Sequence, residues 1–211
     1  MVNNFNNEDL KKIMDKNKEE GNSNGKGFFS GFITKRDKDF SDEKPDLKHQ
    51  REVVYYTFNS YEELLSYKDD IIGVCNALNA RFYLYPRRIS YKTTMFSLFK
   101  TMLSAVEIDE EAGIIRNINS ILKYERPFSI DIPENYTLLD YDRKDNVELF
   151  RSELKTIIGD RLVADMPTVY GNHFLITNVD NAALEMIKGL EPDQMDIKPD
   201  AALLIYYNAV E

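Results

Sequence analysis

Two aspartates separated by one residue close an apolar run at Leu138-Leu139-Asp140-Tyr141-Asp142. The leucines read as a strand entering a core, and the alternation of side chains along a strand puts Asp140 and Asp142 on one face. Two adjacent carboxylates repel, and the pair is costly unless a cation or basic groups neutralise it. A magnesium or manganese ion bound through carboxylate oxygen would do so. The same residues also read as a strand that has already ended, with both carboxylates solvated. The polar Arg143-Lys144-Asp145 that follows has the composition of a turn.

A second candidate is His173, which follows the turn sequence 167–172 (PTVYGN) and precedes the apolar Phe174-Leu175-Ile176. Gly171 permits a positive φ in that turn. An imidazole there can ligate metal, contact a phosphate or shuttle a proton; it reads equally as a hairpin-end ring bonded to the backbone. The third piece is Asp196-Ile197-Lys198, whose two charged residues share a face. It sits in a generally acidic stretch that is ordinarily a solvated loop. A fourth is the segment 81–104. It carries Arg81, Arg87, Arg88, Lys92 and Lys100 with no acidic residue, interleaved with Phe82, Tyr83, Tyr85 and Tyr91. Basic and aromatic side chains together suit a nucleotide or nucleic-acid phosphate. Ser90 at a helix start adds backbone N–H groups suited to an anion. In the competing reading the aromatic residues are core and the arginines pair with the acidic half of the chain, for example Glu107, Asp109, Glu110 and Glu111.

The elements that must position these residues are legible from periodicity. Residues 53–58 form a strand. Ser60 and Glu63 make a capping box that opens a helix with Tyr61, Leu64, Leu65, Ile71, Ile72, Cys75 and Leu78 on one side, stopped at Asn79. A strand at 81–85 ends at Pro86. Ser90 caps a second helix with a Tyr91, Met95, Leu98, Phe99, Met102 and Val106 stripe, and a third helix covers roughly 110–123. Beyond them come a strand at 136–141, a helix at 146–158, strands at 161–166 and 173–177, and a helix from Asn178 or Asp180 to Lys188. An extended piece at 195–198 precedes a last strand at 201–207. The order β-α-β-β-α-β is the split arrangement of ferredoxin-like sheets. It predicts an α+β fold: a four-stranded antiparallel sheet over about 136–207, two helices on one face, and the preceding β-α-β-α-α half covering the other.

The first fifty residues have another character. Seven asparagines fall within the first 24 positions, and 21–27 (GNSNGKG) reads as linker. Between them, residues 8–20 offer a marginal helix with Leu10, Ile13 and Met14 on one side. This predicts a flexible Asn/Lys/Glu-rich segment over 1–45, available to a protein partner, followed by one globular domain over 46–211. The boundary falls between about 28 and 52, where FFSGFI already has strand character.

Acidic residues exceed basic ones by 36 to 27, for a net charge of −9, which argues against a binder held to nucleic acid by bulk charge. The longest apolar runs are too short to span a bilayer, the N-terminus has no apolar signal core, and the expected location is cytoplasmic. The lone Cys75 excludes an intrachain disulfide and a cysteine-based zinc site. A haloacid-dehalogenase-type phosphatase also uses D-x-D after an apolar strand. Its pattern wants Thr or Val where this chain has Lys144, and no parallel βαβ series follows.

LLDYD at 138–142, GNH at 171–173 and MDI at 195–197 follow the motif order of the archaeo-eukaryotic primase superfamily. The region 136–207 resembles its primase-polymerase palm, an RRM-like sheet. From about Ile33 the whole chain resembles a group of small uncharacterised proteins of gut Bacteroidota and their phages. The likeness runs through ITKRDKDFSDEKPDLK, NARFYLYPRRISYK, LLDYDRKD, MPTVYGNHFLIT and MDIKPDAALLIYYN. Members of that group carry N-G-x-H and D-I-H where this chain has Y-G-N-H and D-I-K. The palm resemblance implies that Asp140, Asp142 and Asp196 hold Mg2+ or Mn2+, which orients a nucleoside triphosphate and activates a 3′-hydroxyl. His173 would contact phosphate, with Lys198, Arg87, Arg88 and Lys92 as further phosphate partners. The expectation is a nucleotidyltransferase-like protein handling nucleotides or nucleic acid, in a bacterial host cell if phage-encoded. The alternative is a catalytically inactive phage or mobile-element protein that keeps the fold and binds nucleic acid or protein.

Overall fold

The computed structural model describes residues 1–20, 27–35, 51–91, 94–96, 99, 100, 103, 136–191 and 193–208. The fold is α+β, with two antiparallel sheets. The first half supplies β1 (Val2–Asn3), α1 (Glu8–Glu20), β2 (Gly27–Lys35), β3 (Arg51–Phe58), α2 (Tyr61–Ser66), α3 (Lys68–Leu78) and β4 (Arg81–Ser90). The second half supplies β5 (Tyr136–Tyr141), α4 (Val147–Ile158), β6 (Leu162–Pro167), β7 (Asn172–Thr177), α5 (Asn181–Leu190), β8 (Met195–Pro199) and β9 (Leu203–Tyr207). A five-stranded sheet runs β1-β9-β4-β2-β3, and a four-stranded sheet runs β6-β7-β5-β8.

Alternation along β5 explains how the sheets stack. Leu139 and Tyr141 face α4 and α5, where they join Phe150, Leu154, Ile158, Phe174, Ile176 and Ile187 in one core. The Tyr141 and Phe150 rings stack at 4.3 Å. Tyr136 and Leu138 face the opposite way and merge with Ala164, Met166, Leu175, Phe82, Leu203 and Ile205 in a second core, which the first-half helices close. The four-stranded sheet therefore contributes to a core on each face, with helices on one and the five-stranded sheet against the other.

The N-terminal residues are part of this structure, contrary to the flexible segment expected over 1–45. Leu10, Ile13 and Met14 are at most 1% exposed, so the helix that is marginal alone is held by its apolar stripe. Strand β2 pairs with β3 on one side and β4 on the other, which makes it an interior strand. Residues 1–20 and 27–35 are thus not a flexible tether; most of the 21–27 linker lies outside the described residues, and Gly27 opens β2.

Further differences lie along the chain. The helix opened by Ser60 breaks at Tyr67 into α2 and α3. Ser60 Oγ accepts from the Glu63 N–H at 3.3 Å, while Glu63 returns a bond to the N–H of Asn59. Asn79 ends α3 in the left-handed conformation, φ 47°, as its type permits. Strand β4 passes through Pro86 to Ser90, because the β2–β4 ladder has a bulge between the Phe29↔Arg88 and Gly31↔Leu84 pairs, which is where a residue without an N–H fits. The expected last strand at 201–207 belongs to the five-stranded sheet, between β1 and β4; the extended piece at 195–198 is instead the fourth strand of the other sheet. The helix expected after Ser90 is described at only a few positions, where Met95 and Phe99 are exposed rather than core. The helix expected at 110–123 lies outside the described residues, as does His49. Among the described residues no helix is long and apolar enough to cross a membrane.

Gly31 allows the tightest approach in the five-stranded sheet. A Cβ there would stand 2.6 and 2.7 Å from the Phe82 ring. That ring is fully buried, stacked on Phe5 and edge-on to Phe58 and Tyr56, so it has nowhere to go. Gly31→Ala is expected to cost about 1–3 kcal/mol, read as a lower Tm in thermal unfolding; an unchanged Tm contradicts this packing.

Candidate functional site

The inner face of β5 begins in the core and ends in a cleft. Tyr136 and Leu138 are buried between the sheets; Asp140 and Asp142, the next two positions on that face, emerge at the edge. The cleft has a volume of about 350 Å³, within the range of small-molecule sites. Asp140, Asp142, His173, Asp196 and Lys198 line it from the four-stranded sheet, with Thr168, Val169 and Tyr170 of the β6–β7 turn.

Strand register brings the first-named residues together. Asp140 pairs directly with His173 on β7 and with Asp196 on β8, so these three side chains stand in a row across the sheet. Lys198 lies two residues beyond Asp196, on the same face, and reaches diagonally. Its ammonium donates to Asp140 Oδ2 at 2.5 Å and stands 3.4 Å from Asp196 Oδ2. His173 Nε2 is 3.3 Å from Asp140 Oδ1. The ring's other nitrogen, Nδ1, accepts the backbone N–H of Leu204 at 3.3 Å, which assigns the ring proton to Nε2, toward Asp140. Burial alone raises the Asp140 carboxyl; the bonds and charge from His173 and Lys198 outweigh it and hold the group well below the usual carboxylate range. Desolvation works against the Lys198 charge, but Asp140 and then Asp196 raise its pKa above the ordinary value.

Gly171 serves the site by close approach rather than by a positive φ, and Gly159 is the one described glycine with φ in the left-handed range. A Cβ on Gly171 would fall 1.8 Å from the Tyr141 carbonyl oxygen. The turn closes through the Thr168 N–H to the Gly171 carbonyl at 2.8 Å and the Gly171 N–H to Thr168 Oγ1 at 3.1 Å. This packs the start of β7, and with it His173, against the end of β5.

The opposite wall comes from the five-stranded sheet: within segment 81–104 the sequence points to Arg87, Arg88 and Lys92 as the phosphate partners, whereas Arg81, Tyr83 and Tyr85 are the residues that line the cleft, joined by Phe32, which the sequence did not single out. Arg81, Tyr83 and Tyr85 alternate with Phe82 and Leu84 along β4, so the polar and aromatic set faces the cleft while the apolar set is core. Phe32 on β2 pairs with Tyr83, their rings stacked at 5.6 Å, and lies equally close to Tyr85. The Arg81 guanidinium stacks 4.1 Å over the Tyr207 ring. The period-two pattern R-F-Y-L-Y was the available signal.

Arg87 and Arg88 do not line this cleft. Arg87 is buried, ion-paired with Asp200 and set over the Tyr136 ring. Arg88 donates to the Gly27 carbonyl and lies over Phe29. Both hold the framework, Arg87 through a carboxylate and Arg88 through a backbone carbonyl. Lys92 lies outside the described residues, as do Glu107, Asp109, Glu110 and Glu111.

The metal expectation meets a specific obstacle. Among the described residues no three His, Cys, Asp or Glu side chains are grouped to hold a metal ion. Both Asp140 oxygens are engaged, and the Lys198 ammonium stands between Asp140 and Asp196. As arranged, Asp140, Asp142 and Asp196 do not fit a divalent ion.

Two outcomes follow from this geometry. A carboxyl depressed in the folded state contributes stability above its unfolded pKa, near about 4, and loses it as pH falls. The Tm difference between wild type and Asp140→Asn is therefore expected to hold steady from about pH 7 to about pH 5 and to shrink below about pH 4; a difference that grows in acid contradicts it. Gly171→Ala forces the turn off β5 and is expected to cost about 3 kcal/mol or more. Denaturant unfolding checks this, and an unchanged midpoint counts against the close approach. Comparison of the chain with protein-family models, with curated proteins and with solved structures gives no match.

Proposed function

We propose that the cleft handles a nucleotide or a nucleic-acid end, in the manner of the primase-polymerase palm that LLDYD, GNH and MDI resemble. One observation carries this reading: Asp140, Asp142, His173 and Asp196, chosen from motif order along the chain, line a single cleft whose far wall is aromatic. On this reading the four-stranded sheet is a ferredoxin- or RRM-like palm, supported by the β5-α4-β6-β7-α5-β8 order and the β6-β7-β5-β8 pairing. Tyr83, Tyr85 and Phe32 offer ring faces to a base. Lys198 and the Nε2–H of His173 are the donors facing a phosphate. Mg2+ or Mn2+ would be held by Asp140, Asp142 and Asp196 only once Lys198 has moved away.

A second reading, a phage or mobile-element protein that binds without catalysis, is favoured by the Asp140–Lys198 pair, which satisfies the carboxylate without a metal. A membrane has no part in either.

Fluorescence polarisation with a labelled nucleoside triphosphate and a labelled single-stranded oligonucleotide tests the shared claim. Binding is expected in wild type and weakened roughly tenfold in Tyr83→Ala, as expected for one lost stacking ring. Absence of wild-type binding to either probe removes the proposal. A primer-synthesis assay with Asp140→Ala and Asp142→Ala separates the two readings: product that disappears in the variants means catalysis, and binding with no product means the second.

A further inference from the structure

We propose that Lys198 is a built-in cation of the carboxylate row: its ammonium takes the position of a divalent metal and competes directly with one. Asp140 and Asp196 face each other across β5 and β8, and like charges directly opposite on neighbouring strands destabilise a sheet. Something positive has to stand between them. Lys198 Nζ does so, at 2.5 Å from Asp140 and 3.4 Å from Asp196. A compact ammonium on a flexible stem satisfies two carboxylates in this way, whereas magnesium or manganese also demands several oxygen ligands arranged around it. The lysine side chain is 42% exposed and Asp140 only 18%. The acid is thus the fixed member of the pair, and the base is the one able to swing out to water.

The inference does not depend on what organic ligand the cleft takes, and it is tested without one. Mn2+ is titrated into the full chain and the free ion counted by electron paramagnetic resonance. Wild type is expected to bind weakly. Lys198→Met, which keeps the stem and removes the charge, is expected to bind about tenfold or more tightly, the scale of one partly buried ion pair. Lys198→Gln serves the same purpose should the methionine variant fold poorly. Lys198→Arg retains the cation and is expected to keep the weak wild-type affinity. Adding Asp140→Asn to Lys198→Met abolishes the gain. Equal Mn2+ affinity in wild type and in the two neutral variants overturns the proposal, as does a gain that survives Asp140→Asn.

Discussion

A carboxylate withdrawn from water must be compensated where it stands, and Asp140 is compensated from both neighbouring strands. His173 approaches from β7 and Lys198 from β8. Each partner is held in turn: the imidazole by the Leu204 N–H of the five-stranded sheet, the ammonium by Asp196 on its own strand. Burial of that one charge therefore ties together three strands of one sheet and one of the other. The pairing is productive in position as well as in energy, because removing one partner from such a group leaves a desolvated charge uncovered.

The same strand serves both the core and the cleft. On β5 one face packs Leu139 and Tyr141 against α4 and α5, while the other changes from Tyr136 and Leu138 to Asp140 and Asp142. The core fixes the strand's depth and register, and the polar residues inherit that position. The cleft is thus rigid at its base. Its other wall is made the same way, with Phe82 and Leu84 in the core and Arg81, Tyr83 and Tyr85 turned to the cleft.

Periodicity in the sequence identified β5, α4, β6, β7 and α5 nearly to the residue, because α4 and α5 carry one apolar stripe each while the strands are short apolar runs bounded by turn residues. It also gathered Asp140, Asp142, His173 and Asp196 as candidates, since alternation and turn chemistry are local. What it missed was non-local. Nothing in Leu203-Leu204-Ile205 says that this strand leaves its neighbours to lie between β1 and β4. Nothing in the Asn-rich start says that Leu10, Ile13 and Met14 find a sheet to cover. Arg87 and Arg88 read as phosphate donors because a run of basic residues looks solvent-directed until its carboxylate partner, Asp200, arrives from the far end of the chain. Lys198 was noted beside Asp196, but its reach to Asp140 depends on strand order.

The corner at Asp200 has a structural corollary. Its backbone N–H bonds the Tyr136 carbonyl at 3.1 Å, its side chain meets Arg87, and it takes a left-handed φ of 54°. Here the chain passes from one sheet to the other in three residues, and the bond from Leu204 to His173 lies just beyond. The two walls are consequently stitched together beside Asp140 and His173, which leaves little freedom for them to part by hinging at that end. At that end the spacing of the walls is set by the three residues that join β8 to β9, and what varies across the mouth is the shape and charge of its side chains.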